Sequence, residues 1–169
     1  MIAEIVKAVL QNLFVIFIAI AIVASIGRIR RARLSRRPFS ASYILWGEML
    51  FYVYGLANIY GGVMHAYDGD TVAATIGWLN SPFQYELGWF EIAYGFTALF
   101  SGRQGYAYRL AMTIPYSIFA LAAAAQHINM IVRVHDYAPN NAGLTLWLGD
   151  IIVPLFMLAL AWFARDWED

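Results

Sequence analysis

Long apolar runs alternate with short polar segments along this chain of 169 residues. A helix needs about 20 mostly apolar residues to cross the hydrocarbon core of a bilayer. Five runs of suitable length predict transmembrane helices at 4–27, 41–65, 82–101, 107–132 and 144–164. The pattern therefore predicts an all-α fold, a bundle of five transmembrane helices that forms a single domain over residues 1–169.

Polar segments separate the predicted spans. Residues 28–38 form a charged linker, and the segment HDYAPNNAG (135–143) separates the last two spans. Residues 70–79 predict a short interfacial helix that is capped by Asp70 and directs Trp78 toward lipid headgroups.

The first apolar run has two interpretations. It follows Lys7 and so resembles a signal peptide. It is followed, however, by RIRRARLSRR, a strong stop-transfer signal. We therefore expect a true transmembrane helix.

Composition supports an integral membrane protein. Hydrophobic residues make up 62% of the chain and charged residues 13%, about half the charged share of a soluble domain. The formal net charge is zero, so there is no electrostatic case for nucleic acid as a partner. The chain has no cysteine, which excludes disulfides, thiolate metal sites and cysteine nucleophiles.

The distribution of basic residues predicts the orientation. Nine of the eleven cations fall on one side of the predicted spans, six of them in the linker 28–38. Cationic loops stay in the cytoplasm, so the N-terminus should face out and the C-terminus should be cytoplasmic, in the inner membrane of a bacterium. The basic linker can also attract anionic membrane lipid.

The segment Ser81-Pro82-Phe83-Gln84 predicts the start of the third span, with a capping box and a proline at the first helical position. Glu86 then lies in the second turn, where the helix dipole favours an anion. Glu91 lies about 15 Å along the helix, near the membrane midplane.

An acid at the centre of a span costs about 2.5–3.5 kcal/mol on insertion scales, so Glu91 should face the bundle interior, paired or protonated. We expect a protonated Glu91 that hydrogen-bonds another helix through Asn58, Tyr54 or Tyr94. A purely structural hydrogen bond and a role in ligand binding or proton transfer are both open.

Several polar residues fall in the outer third of their spans, which predicts one polar pocket there. This prediction assumes that the helices are rotated so that the side chains converge. Glu48 lies near the cytoplasmic arginines and predicts an ion pair with one of them. The candidate ligand-binding residues are Glu86, Glu91, His127, Asp150, His65, Asn58 and Gln126.

The chemistry of this set stays open. His65, His127, Glu86 and Asp150 are candidate metal ligands, although no zinc-hydrolase spacing is present. Two histidines on different helices can ligate a haem, and a carboxylate–histidine pair can act as a general acid–base. Neither a cofactor nor a catalytic residue is identified, and whether the protein is an enzyme is undecided.

One set of short motifs is distinctive: Gly77-Trp78, Ser81-Pro82-Phe83-Gln84, Glu86, Gly88 and the segments QHIN (126–129) and NNAG (140–143). On these motifs the chain, from the second span onward, resembles a family of small uncharacterised bacterial membrane proteins with four or five spans. That family has no assigned activity, so the resemblance implies the fold and not a reaction. A fainter similarity is to emopamil-binding and sigma-2-receptor-type bundles, whose acids line a membrane cleft that binds amphiphiles.

Two functions follow as hypotheses. In the first, the polar pocket binds a small or lipid-soluble ligand or an ion. In the second, the chain is an accessory subunit of a larger membrane complex, or a homo-oligomer, and the polar groups serve helix packing. Small-residue pairs suited to such packing are Ala57/Gly61, Ala98/Gly102 and Ala120/Ala124.

Overall fold

The structure is a computed structural model that describes residues 13–167. Over that range the chain forms six helices and no strand, which confirms the all-α prediction there. The predicted residues 4–12 of the first span lie outside the described part. The helices are α1 (Leu13–Leu34), α2 (41–67), α3 (Gly69–Ile76), α4 (Pro82–Ala98), α5 (Tyr106–Val134) and α6 (Pro139–Ala164).

Three of these helices are long and apolar enough to cross a membrane, judged by length and composition. They are α1, α5 and α6. The predicted spans 41–65 and 82–101 are also helical, as α2 and α4. Helix α4 has 17 residues and is slightly short for a span. Helix α2 is long enough, but Glu48, Asn58 and several tyrosines lower its hydropathy.

The first helix extends further than predicted. Residues 28–34 were expected in a charged linker, yet α1 continues through them to Leu34. Arginine is a good helix former, so the basic residues prolong the helix beyond the apolar run. The helix ends where Arg36 adopts a left-handed backbone conformation, with φ of 52°. One of the four arginines in this extension, Arg28, forms an ion pair with Glu48, as predicted.

Glycines allow α2 and α4 to pack backbone against backbone. A Cβ atom on Gly95 would lie 2.7 Å from the carbonyl oxygen of Gly55, and one on Gly88 would lie 2.6 Å from that of Gly62. The two pairs show that the helices run antiparallel. Each helix has its two glycines seven residues apart, so they share one face. This pair of helices has the most extensive contact in the bundle.

Arg109 connects several backbone segments at the end of the bundle where α2 begins. Its guanidinium donates hydrogen bonds to the carbonyl oxygens of Ser101 (3.0 Å), Gln104 (3.1 Å) and Tyr43 (2.8 Å). It also stacks over the Tyr43 ring, and Gly47 leaves the space that it occupies. Arg109 is buried, at 5% exposed, and so is a structural residue of this end of the bundle.

Two helices contain π-helical segments: Leu50–Ala57 in α2 and Thr145–Ile152 in α6. Asn58 directs its amide nitrogen to the carbonyl oxygens of Val53 and Tyr54, within the first of them. Pro154 follows the second and cannot donate to the carbonyl of residue 150. Departures of this kind from α-helical geometry are frequent at functional sites.

Candidate functional site

Glu91, His127 and Asp150 lie together inside the bundle, and we call them the buried acid cluster. Glu91 is on the same face of α4 as Gly88 and Gly95 and is 8% exposed. The carboxyl groups of Glu91 and Asp150 lie within electrostatic range of each other. His127 Nε2 lies 3.8 Å from Asp150 Oδ2. Three helices, α4, α5 and α6, therefore contribute to one polar cluster.

Both acids of this cluster have an unsatisfied buried oxygen. Glu91 Oε2 and Asp150 Oδ2 have no hydrogen-bond partner within the part of the chain that the structure describes. At 3.8 Å, the distance from Asp150 to His127 is too long for a hydrogen bond. A buried acceptor without a partner costs about 1–3 kcal/mol, so the cluster is unfavourable for the fold by itself.

The other ring nitrogen of His127, Nδ1, is fixed by hydrogen bonds. Its Nδ1 lies 2.7 Å from Asn141 Oδ1, and Asn141 Nδ2 donates to the carbonyl oxygen of Asp136 at 2.7 Å. Because that second bond orients the amide, Asn141 Oδ1 faces the ring and His127 Nδ1 must donate. In the neutral ring, Nε2 is then an acceptor that faces the acceptor Oδ2 of Asp150.

Trp78 covers the His127 ring. The two rings are stacked, with centroids 5.5 Å apart and planes at 27°. The predicted role of Trp78 as a headgroup-facing residue of an interfacial helix is therefore wrong. Helix α3 ends at Ile76, and Gly77, with φ of 84°, turns the chain so that Trp78 reaches inward.

The predicted hydrogen-bond partners of Glu91 are also wrong. Tyr54 pairs its hydroxyl with Ser117 Oγ at 3.0 Å, and Tyr94 donates to the carbonyl oxygen of Met112. The amide nitrogen of Asn58 is used within α2 itself. Glu91 instead points toward Gly61 on α2, which has no side chain. A Cβ atom on Gly61 would lie 3.2 Å from Glu91 Oε2.

Aromatic rings surround the cluster on its inner side. Tyr116 lies between Tyr54 and Tyr94, with ring centroids 4.6 Å and 4.8 Å away. The Tyr116 ring lies within electrostatic range of both Glu91 and Asp150. Glu91 is buried beside these rings, and burial away from water strengthens any charge interaction there.

Two of the predicted site residues do not face the interior. Glu86 and Gln126 are both exposed. On α4 the buried face includes Gln84 and Gly88, and Glu86 is about 200° from either of them around the helix. Gln126 directly precedes the buried His127 and so points away from it. The prediction that Glu86 faces the bundle interior is wrong.

His65 belongs to a separate polar group. Its Nδ1 lies 2.5 Å from Gln84 Oε1, so Gln84 bonds α2 and does not form the predicted capping box with Ser81. Helix α4 still begins at Pro82, as predicted. His65 and Gln84 line an open cavity of about 480 Å³, together with Asp68, Asp70 and Asn80.

These positions bear on the metal and haem hypotheses. Among the described residues there is no group of three or more His, Asp or Glu side chains that could hold a metal ion. The four candidate metal ligands do not lie together, because Glu86 is exposed and His65 bonds Gln84. In a haem site His127 would have to turn Nε2 away from Asp150. The geometry favours neither hypothesis.

Sequence reasoning missed three residues that shape the cluster: Trp78, Asn141 and Gly61. Trp78 was assigned to lipid headgroups, Gly61 to helix packing, and Asn141 appeared only in the segment NNAG as a point of resemblance. Polar or aromatic residues in short outer segments were the available signal, because the turn at Gly77 and the start of α6 bring Trp78 and Asn141 against His127.

The comparison with protein families matches residues 11–169 to a family of unknown function, DUF6790, and the chain belongs to that family. No curated protein and no solved structure matches the chain. The prediction of a family without assigned activity is thus confirmed. The membrane character of that family and its GW–SPFQ pattern stay predictions.

Proposed function

We propose that this protein is a multi-pass protein of the bacterial cytoplasmic membrane that binds a small cation at the buried acid cluster. The observation that carries the proposal is the pair of acceptors, His127 Nε2 and Asp150 Oδ2, which face each other at 3.8 Å. Glu91 adds a second carboxyl group with an unsatisfied oxygen. One positive charge between His127 Nε2 and Asp150 Oδ2 would satisfy both acceptors, and Glu91 adds negative charge nearby.

The size of the ligand follows from the surroundings. The cavities described at the two ends of the bundle are not lined by Glu91, His127 or Asp150. Tyr116 lies near both carboxyl groups, and a Cβ atom on Gly61 would lie 3.2 Å from Glu91 Oε2. We therefore favour a proton, or a monovalent cation held by fewer than three of these side chains, over a lipid-soluble molecule, and we assign no reaction.

Five spans with an outer N-terminus are part of the proposal. The arginines of α1, together with Arg103, Arg109 and Arg165, belong to segments that meet at one end of the bundle, where Ser42 donates to the carbonyl oxygen of Phe163 at 3.2 Å. That end would be cytoplasmic, and the buried acid cluster would lie in the outer half. The chain has no cysteine, so single cysteines report topology cleanly. From outside intact cells, a cysteine at Asp68 should be labelled and one at Ser35 should not.

Cation binding is tested by melting the purified protein in detergent. Sodium chloride is compared with N-methylglucamine chloride at constant ionic strength, because the organic cation is too large for the cluster. Sodium should raise the melting temperature of the wild type and of Glu86→Gln, an exposed acid on the same helix. It should have no effect on Glu91→Gln or Asp150→Asn.

A proton as the ligand gives a different result. Sodium then has no effect, and infrared spectra show a protonated carboxyl band that Glu91→Gln or Asp150→Asn removes and Glu86→Gln keeps. The proposal is wrong if sodium has no effect and the carboxyl band is the same in all four proteins.

The accessory-subunit hypothesis stays the alternative. Ala120 and Ala124 are buried within the chain, and Gly61 faces Glu91, so these small residues serve the internal packing. Gly102 is the exception, because nothing lies within 4 Å of a Cβ placed on it. A purified protein that is a stable monomer favours the cation-binding function.

A further inference from the structure

A second cavity, of about 450 Å³, lies at the end of the bundle opposite the loop that carries Trp78, where α1 ends and α2 begins. We call it the basic cavity. All the charged residues that line it are arginines: Arg28, Arg31, Arg37 and Arg109. The lining also includes three aromatic residues, Phe39, Tyr43 and Trp167.

The positive charge of the basic cavity is only partly compensated. Arg28 forms its ion pair with Glu48, and Arg109 bonds backbone carbonyl groups. Arg31 and Arg37 are exposed, and within residues 13–167 neither forms an ion pair. The cavity therefore keeps an excess of positive charge that includes two arginines free to bind a ligand.

The start of α2 adds to this charge. Ser40 caps the helix, since its Oγ accepts a hydrogen bond from the backbone nitrogen of Tyr43 at 3.2 Å, and Ser40 also lines the cavity. The N-terminus of a helix carries a partial positive charge and binds anions. Arginine side chains prefer phosphate, whose oxygens match the two-pronged guanidinium.

We propose that the basic cavity binds the phosphate group of an anionic phospholipid. The lipid, as opposed to a soluble phosphate, is favoured by Phe39, Tyr43 and Trp167, because aromatic rings sit at the headgroup level of a bilayer. The inference rests on the proposed function only for the membrane location. It does not depend on the buried acid cluster.

The test compares two double variants that each remove two positive charges from residues 28–38. Arg31→Gln/Arg37→Gln removes the two exposed cavity arginines that form no ion pair within residues 13–167. Arg30→Gln/Arg36→Gln removes two exposed arginines that do not line it. Delipidated protein in neutral detergent is titrated with phosphatidylglycerol, and bound lipid is counted by native mass spectrometry. Phosphatidylcholine serves as the zwitterionic control.

The wild type should retain one phosphatidylglycerol molecule in preference to phosphatidylcholine. An arginine near a membrane surface contributes about fivefold in affinity, so the cavity variant should bind about 30-fold more weakly. The matched control should lose much less. Equal losses in the two double variants, or no preference for phosphatidylglycerol, would overturn the proposal, because diffuse attraction does not distinguish between the two pairs.

Inorganic phosphate separates the two sources of the anion. If phosphate at millimolar concentration does not displace the lipid, the site recognises a phospholipid, as proposed. If phosphate binds to the wild type and displaces the lipid, and the cavity variant loses both, the site is one for soluble phosphate and the lipid assignment is overturned. Glu91→Gln should bind phosphatidylglycerol like the wild type, so failure of the cation-binding proposal would not affect this result.

Discussion

Gly62 on α2 and Gly88 on α4 face each other so closely that a Cβ atom on Gly62 would lie 2.5 Å from the carbonyl oxygen of Gly88. No side chain separates the two backbones at this point. The close approach is what brings α4 near enough to α2 for Glu91 to reach Gly61. The position of the buried acid cluster therefore depends on glycines that lie outside it.

Substitution of these glycines should destabilise the bundle. Gly88→Ala or Gly62→Ala places a methyl group against backbone atoms, which cannot give way as a flexible side chain can, and overpacking of this kind costs about 1–3 kcal/mol. The control is Gly27→Ala, where nothing lies within 4 Å of the new Cβ. Thermal unfolding in detergent should show a lower melting temperature for the first two variants and little change for the third. Equal melting temperatures in all three would mean that the helices are not this close.

Arg109 should be essential for stability at the end of the bundle where α2 begins. Arg109→Met leaves the carbonyl oxygens of Ser101, Gln104 and Tyr43 without this donor, and each buried unsatisfied group costs about 1–3 kcal/mol. Arg109→Lys keeps the charge but not the planar fork, so an intermediate loss is expected. Arg103→Met is the control, because Arg103 is exposed. Arg103→Met should have the highest melting temperature, Arg109→Lys an intermediate one and Arg109→Met the lowest. Arg109→Met as stable as Arg103→Met contradicts the assigned role.

Gly77 should control the position of Trp78. Its φ of 84° is a conformation that side-chain-bearing residues rarely adopt, and a Cβ would lie 2.5 Å from Asp136 Oδ1. Gly77→Ala should therefore loosen the segment that holds Trp78 on His127. Hydrogen exchange of residues 74–80 should become faster, while exchange in α1 stays the same. Unchanged exchange at 74–80 would show that this turn does not depend on glycine.

The positions of the helices could be predicted from the sequence, because long apolar runs are a strong signal. Helix α4 begins at Pro82 as predicted, and Glu48 forms the expected ion pair with Arg28. Both outcomes depend on local sequence or on loop position. Neither requires knowledge of how a helix is rotated about its axis.

The polar pattern could not predict how each helix is rotated about its axis. In a helix that is apolar on all sides, an apolar residue does not indicate the buried face, so the sequence placed Glu86 in the predicted pocket although the helix start already favours an acid there. The exposed side of α4 is in fact aromatic, with Phe83, Tyr85 and Trp89. The usable signal was the spacing of Gly88 and Gly95, which marks the face in contact with α2 and places Glu91 on it.

The last prediction concerns the stability of Glu91 variants. If Glu91 bonded another helix as the sequence predicts, Glu91→Leu would leave a buried partner unpaired and cost about 1–3 kcal/mol. Within the described residues, however, Glu91 Oε2 has no such partner. Leucine removes an unsatisfied oxygen, and it also removes the repulsion between two nearby carboxyl groups when both are charged. Without a bound cation, Glu91→Leu should therefore melt above the wild type.

Glu91→Gln completes this experiment. Glutamine keeps the size and polarity of the side chain but has neither the negative charge nor the acid proton of glutamate. Glu91→Gln should therefore melt close to the wild type and lose the sodium effect or the carboxyl band. A lower melting temperature for Glu91→Leu in N-methylglucamine chloride would mean that Glu91 bonds a group outside residues 13–167, and its role would then be structural. A higher melting temperature together with lost cation binding means that the acid is kept at the expense of stability, as expected of a functional residue.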